Sequence, residues 1–214
     1  PELDDFDQLY RLGQDLGRLH AVGKVQPFRY RPVLDIHSYG NNSVDYLLGN
    51  FIPASLRRSY ETLCRDLLDG INRAFSAIDE ISLIRCHGDC HIGNMLWRDD
   101  TPHFVDFDDA RMAPAIQDIW MLLSGDRSQQ AAQLAEIIEG YQLFNNFRAA
   151  ELALIEPLRT LRMMHYAAWL ARRWQDPAFP LHFPWFNSER YWGEHILQLR
   201  EQLYALGEDP LPLR

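Results

Sequence analysis

The sequence predicts a mainly α-helical domain that contains a small β-hairpin. Two patterns predict this class: long segments in which apolar residues recur every three or four positions, and a central stretch of short apolar runs joined by a turn. The composition agrees, because 47% of the 214 residues are apolar. A chain of this length can bury a full core, as one large domain or as two small ones.

The first part of the chain is predicted to contain two helices separated by a less regular segment. In residues 4–22, apolar side chains recur at helical spacing, and acidic residues near the start favour a helix N-terminus. Residues 26–53 are rich in Pro, Gly and Asn and are predicted to form a loop or lid with short helical pieces. A second amphipathic helix is predicted over about 54–77.

The centre of the chain predicts strands, and the remainder predicts helices. Short apolar runs lie at 81–84, 94–97 and 103–106, and the last two are joined as a hairpin across a turn that contains Asp99 and Asp100. Pro114 can open a helix that runs to Leu123. Longer helices are predicted at about 128–146, 149–175 and 187–206.

The composition argues against several classes of protein. No stretch approaches the roughly 20 uninterrupted apolar residues of a membrane span, and the first residues lack the basic and apolar regions of a signal peptide. The formal charge of −9 argues against broad contact with nucleic acid or an anionic membrane. Three cysteines are too few for a disulfide scaffold and favour a reducing compartment. We therefore expect a cytoplasmic monomer without nucleic-acid or membrane partners.

Three polar residues around the predicted hairpin form a pattern suited to metal-assisted phosphoryl transfer. Asp89 lies five residues before Asn94, the spacing of a kinase catalytic loop, and Asp106 follows a strand-like run. Such chemistry needs a base for an acceptor hydroxyl and hard oxygen ligands for a divalent cation. We predict Asp89 as the catalytic base, or as the group that orients the hydroxyl. Asn94 and Asp106 are predicted as Mg²⁺ ligands that bind ATP through the metal, and Asp106 is also counted as catalytic. The alternative for an isolated Asp is a turn or cap role.

These residues resemble the signature of a known family. H-G-D-x-H-x-x-N at 87–94, followed by D-F-D at 106–108, is similar to the motif of the aminoglycoside phosphotransferase and choline kinase superfamily, a branch of the protein-kinase-like fold. The longer runs C-H-G-D-C-H-I-G-N-M-L-W-R-D and F-V-D-F-D-D-A-R-M-A-P-A-I-Q-D-I-W-M-L-L more closely resemble the bacterial stress response kinase A group. The likeness spans most of residues 85–190. It implies the C-terminal lobe of a kinase-like α+β fold, with ATP as co-substrate and Mg²⁺ as cofactor.

The resemblance also implies a part that this sequence does not contain. A kinase of this fold has an N-terminal lobe whose lysine holds the nucleotide phosphates, and the one lysine here is Lys24. Lys24 follows a predicted helix without P-loop spacing, so a helix-terminating turn with Gly23 near the C-cap is the better interpretation. We expect residues 1–214 to be a kinase-like C-terminal lobe without its nucleotide lobe, and the isolated chain to be inactive.

The family signature fixes phosphoryl transfer but not the acceptor, so three functions stay open. The leading hypothesis is a protein Ser/Thr kinase of the stress response group. The first alternative is a small-molecule kinase that acts on an amino alcohol, a sugar or an aminoglycoside. The second is a noncatalytic binding module that retains kinase architecture.

The histidines and cysteines of the motif invite a zinc hypothesis. Cys86, His87, Cys90 and His91 are potential ligands, but they are crowded within six residues and lack a remote second pair. We expect His87 to brace the catalytic loop, as the resemblance implies. Cys90 is expected to be buried packing, and His91 to shape the loop near the phosphates.

Three further aspartates have different predicted roles. Asp118 lies on the predicted helix after Pro114, and the resemblance implies that it ties this helix to the catalytic loop. Asp108 stays open between a second metal position and a solvated or capping carboxylate. Asp109 is expected to have no catalytic role.

Overall fold

The computed structural model describes residues 5–99 and 101–213. Within these residues the chain is mainly helical with short antiparallel strands, as predicted. The helices are α1 (Phe6–Gly23), α2 (Asn42–Asn50), α3 (Arg57–Ser76), α4 (Ile116–Trp120), α5 (Arg127–Tyr141), α6 (Ile155–Arg173), α7 (Ala178–His182) and α8 (Glu189–Ala205). The strands are β1 (Ile84–Cys86), β2 (Met95–Arg98), β3 (Thr101–Phe104) and β4 (Arg111–Ala113).

The described residues form two compact units. The first contains 5–34, 78–155 and 210–213, and the second contains 35–77 and 156–209. Every site residue predicted from the sequence lies in the first unit. None of the described helices combines the length and the apolar character that a membrane span needs.

In the first unit, α1 begins where the acidic residues predicted it. Asp5 is the N-cap residue, and its carboxylate accepts hydrogen bonds from the backbone N–H groups of Asp7 at 2.9 Å and Gln8 at 3.4 Å. Asp4, which was included in the predicted helix, lies outside the described residues. The helix ends at Gly23, and Lys24 is its C-cap residue, in agreement with the predicted turn.

Helices α1 and α5 pack at close range through glycines. A Cβ atom on Gly13 would lie 2.1 Å from the Ile137 carbonyl oxygen, and one on Gly140 would lie 2.0 Å from the Tyr10 carbonyl oxygen. Any larger residue would therefore push the two helices apart. The C-terminal end of α1 approaches β1 in the same way, because a Cβ on Gly23 would lie 2.4 Å from the Arg85 carbonyl oxygen. This packing fixes the strand that leads into the candidate site.

The strands form two separate antiparallel pairs. In the hairpin, β2 pairs with β3 from Met95 opposite Phe104 to Arg98 opposite Thr101, which confirms the predicted hairpin. Asp99 in its turn has a left-handed backbone with φ of 49°, while Asp100 lies outside the described residues. The other pair joins β1 to β4, and β4 was missed by the sequence analysis. All three residues of β4 are buried, so it has none of the alternation that marks a half-exposed strand.

The second unit is built around the apolar stripe of α3. Its buried members are Tyr60, Leu63, Leu67 and Ile71. Tyr60, Leu63 and Leu67 join a core that includes Trp192, Ile196 and Leu199 of α8. Within the segment predicted as a loop or lid, 26–53, the structure has α2 directly after a π-helical turn at His37–Asn41. Val44 and Leu47 of α2 are buried, so packing favours a helix despite the glycine and asparagine content.

Several predicted helices differ in length from the observed ones. The helix predicted from Pro114 to Leu123 is only the short α4. The single helix predicted over 149–175 is a 3₁₀ segment, Ala149–Leu154, followed by α6. The short α7 was not predicted; Pro177 precedes it and another proline lies within it.

Candidate active site

The candidate site is formed by the part of the chain that connects β1 to β4 in the first unit. Residues 87–91 leave β1 and lead into a 3₁₀ turn at Ile92–Asn94, after which the hairpin begins. Asp106 follows the hairpin, and a second 3₁₀ turn, Phe107–Asp109, returns the chain to β4. The segment 87–91 is called the catalytic loop below.

Asp118 of α4 holds the start of the catalytic loop. Its side chain is fully buried, and its two carboxylate oxygens accept the backbone N–H groups of His87 at 2.7 Å and Gly88 at 2.9 Å. The Nε2 atom of His20 lies 2.9 Å from the same carboxylate. Asp118 therefore ties α4 to the catalytic loop, as the family resemblance implied. Its link to His20 of α1 was not predicted.

Short helix α4 is itself fixed from two sides. The buried carboxylate of Glu151 accepts the backbone N–H of Ile116 at 3.1 Å, and burial raises the pKa of this carboxyl group. Gln117 donates its side-chain N–H to the carbonyl oxygen of Gly88 at 3.2 Å. Helix α4 thus accepts hydrogen bonds from the catalytic loop through Asp118 and donates one to it through Gln117. Glu151 was missed by the sequence analysis because its partner is a helix end that only the fold creates.

Gly88 occupies a position that suits glycine alone. Its φ of +85° lies in the left-handed region, and a Cβ atom would lie 2.3 Å from the carbonyl oxygen of Asp109. Close contact between these two backbone segments brings the loop before Asp89 against the turn after Asp106. The glycine of the H-G-D motif is therefore required by packing at this site.

His87 braces the catalytic loop as expected. Its Nδ1 accepts the backbone N–H of Asp89 at 3.4 Å, and its Nε2 donates to the carbonyl oxygen of Val105 at 2.8 Å. The ring also packs on Phe107, with 4.6 Å between ring centroids. One side chain thus connects the residue predicted as the base to both neighbours of Asp106.

Asp89 and Asn94 are brought together directly. The Asn94 amide nitrogen donates to the Asp89 carbonyl oxygen at 2.9 Å and lies 3.4 Å from its Oδ2. These bonds use the amide nitrogen and leave the amide oxygen of Asn94 as the atom that a cation could bind. His91 lies on the same side, since its Nε2 is 3.5 Å from Asp89 Oδ2 and its Nδ1 accepts the Gly93 N–H at 3.0 Å.

Asp106 follows the hairpin in an unusual backbone conformation. Its φ of 61° and ψ of 66° are left-handed, a region that Asp tolerates better than most residues, and its side chain is exposed. The preceding residue, Val105, donates its N–H to the Asn94 carbonyl oxygen at 3.0 Å. The backbone at Asp106 is therefore fixed next to Asn94, although the two are far apart along the chain.

The turn after Asp106 is held by two arginines. Arg31 donates to the carbonyl oxygens of Phe107 at 3.0 Å and Asp108 at 2.5 Å. Buried Arg111 donates to the carbonyl oxygen of Asp109 at 2.7 Å and to its carboxylate at 2.5 Å. Asp109 therefore has a structural role, whereas the side chain of Asp108 is exposed. Arg31 was missed because the carbonyl oxygens that it binds come within its reach only once the turn has formed.

The cysteines of the motif are buried thiols. Burial raises the pKa of both Cys86 and Cys90 well above the ordinary value, so both stay protonated at neutral pH. In addition, ligand atoms of His20, Cys86 and Asp118 lie within 4.8 Å of one another, a grouping that the sequence analysis did not consider. His20 and Asp118 bind each other, and the Cys86 thiol lies 3.5 Å from the Ala113 carbonyl oxygen. These contacts account for the cluster as packing.

Comparison with known proteins gives one family and several relatives. Residues 2–153 match the family described as "Phosphotransferase enzyme family". The chain is 44% identical over 213 residues to stress response kinase A of Escherichia coli O157:H7, an alignment that covers 99% of this chain and 64% of that protein. It is also 44% identical over 213 residues to serine/threonine protein kinase RdoA of Salmonella typhimurium strain LT2, with the same coverage. The chain thus spans about 64% of the length of these curated relatives.

Two of the solved structures with the same fold are named as kinases. The amicoumacin kinase hAmiN, in complex with AMP-PNP, Ca²⁺ and Ami, is 18% identical with a TM-score of 0.66, over 97% of this chain and 60% of that chain. The microcompartment-associated aminopropanol kinase is 16% identical with a TM-score of 0.65, over 98% of this chain and 65% of that chain. These likenesses show the fold and confirm the predicted kinase-like C-terminal lobe.

Proposed function

Because this chain belongs to the phosphotransferase enzyme family, we propose that it carries the hydroxyl-activating and metal-binding half of an ATP- and Mg²⁺-dependent kinase. The proposed acceptor is a Ser or Thr hydroxyl of a protein. The relatives that are 44% identical are named as stress response and serine/threonine protein kinases, which supports this acceptor class.

One observation carries the proposal: Asn94 is bonded through its amide nitrogen to Asp89, with its oxygen left for a cation. A carboxylate and a neutral oxygen ligand are thus held side by side on one braced loop. Phosphoryl transfer depends mainly on positioning of the hydroxyl and on neutralisation of phosphate charge. The arrangement fits both needs with few residues.

Asp89 is proposed as the catalytic residue that accepts the proton of the acceptor hydroxyl, or orients that hydroxyl for attack. Its side chain is 20% exposed, so it can be reached by a substrate while its backbone is held by His87 and Asn94. A general base must be fixed in position before its basicity matters. His87, Asp118 and Gly88 act on Asp89 only through the backbone and are therefore positioning residues.

Asn94 and Asp106 are proposed as the ligands of Mg²⁺. Their oxygen atoms are the hard donors that Mg²⁺ prefers, and the cation usually completes its coordination with phosphate oxygens and water. When bound, Mg²⁺ would neutralise charge on the phosphates of ATP. The exposed carboxylate of Asp106 and the unused amide oxygen of Asn94 fit this role.

The activity proposed here belongs to a longer protein. Since the chain spans 64% of its curated relatives, we propose that the nucleotide phosphates are held partly by a segment that is not in these 214 residues. On this proposal the chain alone folds but transfers little or no phosphate. The three cysteines are buried free thiols, which supports the proposal that the protein is located in the reducing cytoplasm.

A small-molecule kinase is the second candidate, because two solved structures with this fold are named as an amicoumacin kinase and an aminopropanol kinase. The test compares the 214-residue chain with a version extended to the length of the relatives. Each is supplied with radiolabelled ATP, Mg²⁺ and either a general protein substrate or a panel of amino alcohols, sugars and aminoglycosides. ATP-dependent labelling of protein by the extended version alone is the expected result.

Other outcomes of this assay would change the assignment. Transfer only to small alcohols would move it to the second candidate. No transfer by an extended version that binds ATP would favour a noncatalytic binding module. Robust transfer by the 214-residue chain alone would contradict the proposed need for a further segment.

A further inference from the structure

A chain of hydrogen-bonded side chains runs from the surface of the first unit to Asp118. The ammonium group of Lys24 donates to Asn145 Oδ1 at 2.5 Å, and the Asn145 amide nitrogen donates to the Tyr141 hydroxyl at 2.7 Å. That hydroxyl lies 3.0 Å from Nδ1 of His20, whose Nε2 lies 2.9 Å from Asp118. These five residues are called the relay below. Its last member binds the two backbone N–H groups that begin the catalytic loop.

Lys24 fixes the direction of the first bonds. An ammonium group can only donate, so Asn145 must present its amide oxygen to Lys24 and its amide nitrogen to Tyr141. The opposite orientation of the amide would place two donors against each other. Because the Tyr141 oxygen accepts from Asn145, the single hydroxyl proton is left to donate to His20 Nδ1.

This order determines the tautomer of His20. Nδ1 accepts the Tyr141 proton, so the imidazole carries its own proton on Nε2 and donates it to Asp118. Asp118 requires the same tautomer, because a carboxylate accepts and cannot donate. The charged groups at the two ends of the relay therefore specify one and the same direction.

Burial makes a reversed bond in the relay costly. His20, Asp118 and Tyr141 are fully buried, and Asn145 is 8% exposed. Burial also raises the pKa of the Tyr141 hydroxyl, which stays protonated and can donate. Lys24 is the exposed member and the only lysine of the sequence. A buried polar group that lacks a hydrogen-bond partner has lost its bonds to water, and no bond within the protein replaces them.

We propose that Lys24 is a remote positioning residue, which sets the hydrogen-bond direction of the relay and thereby the His20 tautomer that supports Asp118. Through the Asp118 bonds to the His87 and Gly88 N–H groups, Lys24 acts on the loop that carries Asp89. The effect on phosphoryl transfer rests on the proposed function. The tautomer and the loop contacts do not depend on it.

Lys24→Glu reverses the chemistry at the surface end. A carboxylate at position 24 accepts, so it draws the Asn145 amide nitrogen and turns the amide oxygen toward Tyr141. The Tyr141 proton then goes to Asn145, and His20 Nδ1 faces a hydroxyl lone pair instead of a proton. Since Nε2 still faces Asp118, we expect Nδ1 in this variant to lose the hydrogen bond that it accepts, while the contact of Nε2 with Asp118 is kept.

The experiment measures ring-nitrogen resonances in the 214-residue chain with ¹⁵N-labelled histidine. His20 is assigned from the signals lost in His20→Gln. We expect the signals of an acceptor Nδ1 and a donor Nε2 in the wild-type chain and in Lys24→Arg, which keeps a donor-only group. Lys24→Glu is expected to shift the Nδ1 resonance, because Nδ1 no longer accepts the Tyr141 proton. Arg29→Glu, the same charge change at an exposed residue outside the relay, should leave the His20 signals unchanged.

A second measurement follows the catalytic loop. Lys24→Met removes the donor without adding a charge, and we expect the amide hydrogens of His87 and Gly88 to exchange about fivefold faster, the effect of weakening one hydrogen bond. Wild-type ring signals in a folded Lys24→Glu chain would overturn the proposal. If that variant does not fold, unchanged exchange in Lys24→Met would overturn it. Both measurements omit ATP, so a failure of the relay and a failure of the proposed kinase activity are separate results.

Discussion

His87 donates its Nε2 proton to the carbonyl oxygen of Val105 at 2.8 Å. This bond spans the hairpin and joins the start of the catalytic loop to the residue before Asp106. The predicted base and the predicted metal ligand are therefore positioned by one imidazole ring. Changes at either aspartate can be tested without altering this support.

Asp89→Asn should separate proton transfer from binding. The amide keeps the shape of the side chain but cannot accept the hydroxyl proton, so turnover of the extended protein should fall by roughly 10²-fold or more while ATP affinity is largely kept. Single-turnover kinetics and calorimetry on one preparation measure the two quantities. Asp99→Asn, in the exposed hairpin turn, is the matched control. Equal losses of affinity and turnover in Asp89→Asn would instead indicate a folding or binding defect.

Asp106→Ala should abolish productive use of Mg²⁺-ATP in the extended protein and leave the helical fold intact. The carboxylate is exposed, so its loss removes a metal ligand and little packing. ATP turnover is measured across a Mg²⁺ titration, with circular dichroism as the check on folding. The proposed ligand role does not survive if the variant turns over ATP at the wild-type rate.

Gly88→Ala should destabilise the chain, by about 2 kcal/mol or more. The new Cβ would meet the Asp109 carbonyl oxygen at 2.3 Å, and φ is +85° at this position. Gly193→Ala is the control, since no atom lies within 4 Å of a Cβ there and the residue is inside α8. That change should stabilise the helix by about 0.5–1 kcal/mol. Urea unfolding of both variants measures the contrast, and a neutral Gly88→Ala would contradict the packing argument.

His195 predicts a pH dependence of stability in the second unit. Burial among Tyr60, Tyr191 and Trp192 lowers its pKa from 6.5 to about 4. The unfolded chain therefore binds this proton more readily than the folded chain. The contribution to stability is complete above pH 6.5 and is lost as pH falls towards 4. The loss amounts to at most about 3 kcal/mol.

His195→Phe tests this dependence, because it keeps an aromatic ring and removes the titrating group. The free energy of unfolding is measured from pH 7 down to pH 4 in both proteins. We expect the wild-type chain to lose stability more steeply than the variant over this interval. Parallel curves would show that His195 does not set the slope.

The motif predicted which residues come together at the candidate site, whereas few of the contacts that support these residues were predicted. The family likeness drawn from the H-G-D and D-F-D residues is confirmed by the family match. The Asp118 contact followed from the same likeness. The partnership of Asp118 with His20, 98 residues away, could not be predicted because it depends on how α1 packs in the first unit. Strand β4 was missed for a related reason, since three buried residues have no periodicity.

The antiparallel pairing of β1 with β4 has a consequence for folding. Cys86 lies opposite Arg111, so residues 87–110 form one closed excursion of the chain that contains Asp89, Asn94 and Asp106. Closing a loop of this size costs roughly 3 kcal/mol of chain entropy, and this single closure brings all three residues into place. The site should therefore form or dissolve as a whole. Opening of this strand pair would dismantle the proposed base and metal ligands together.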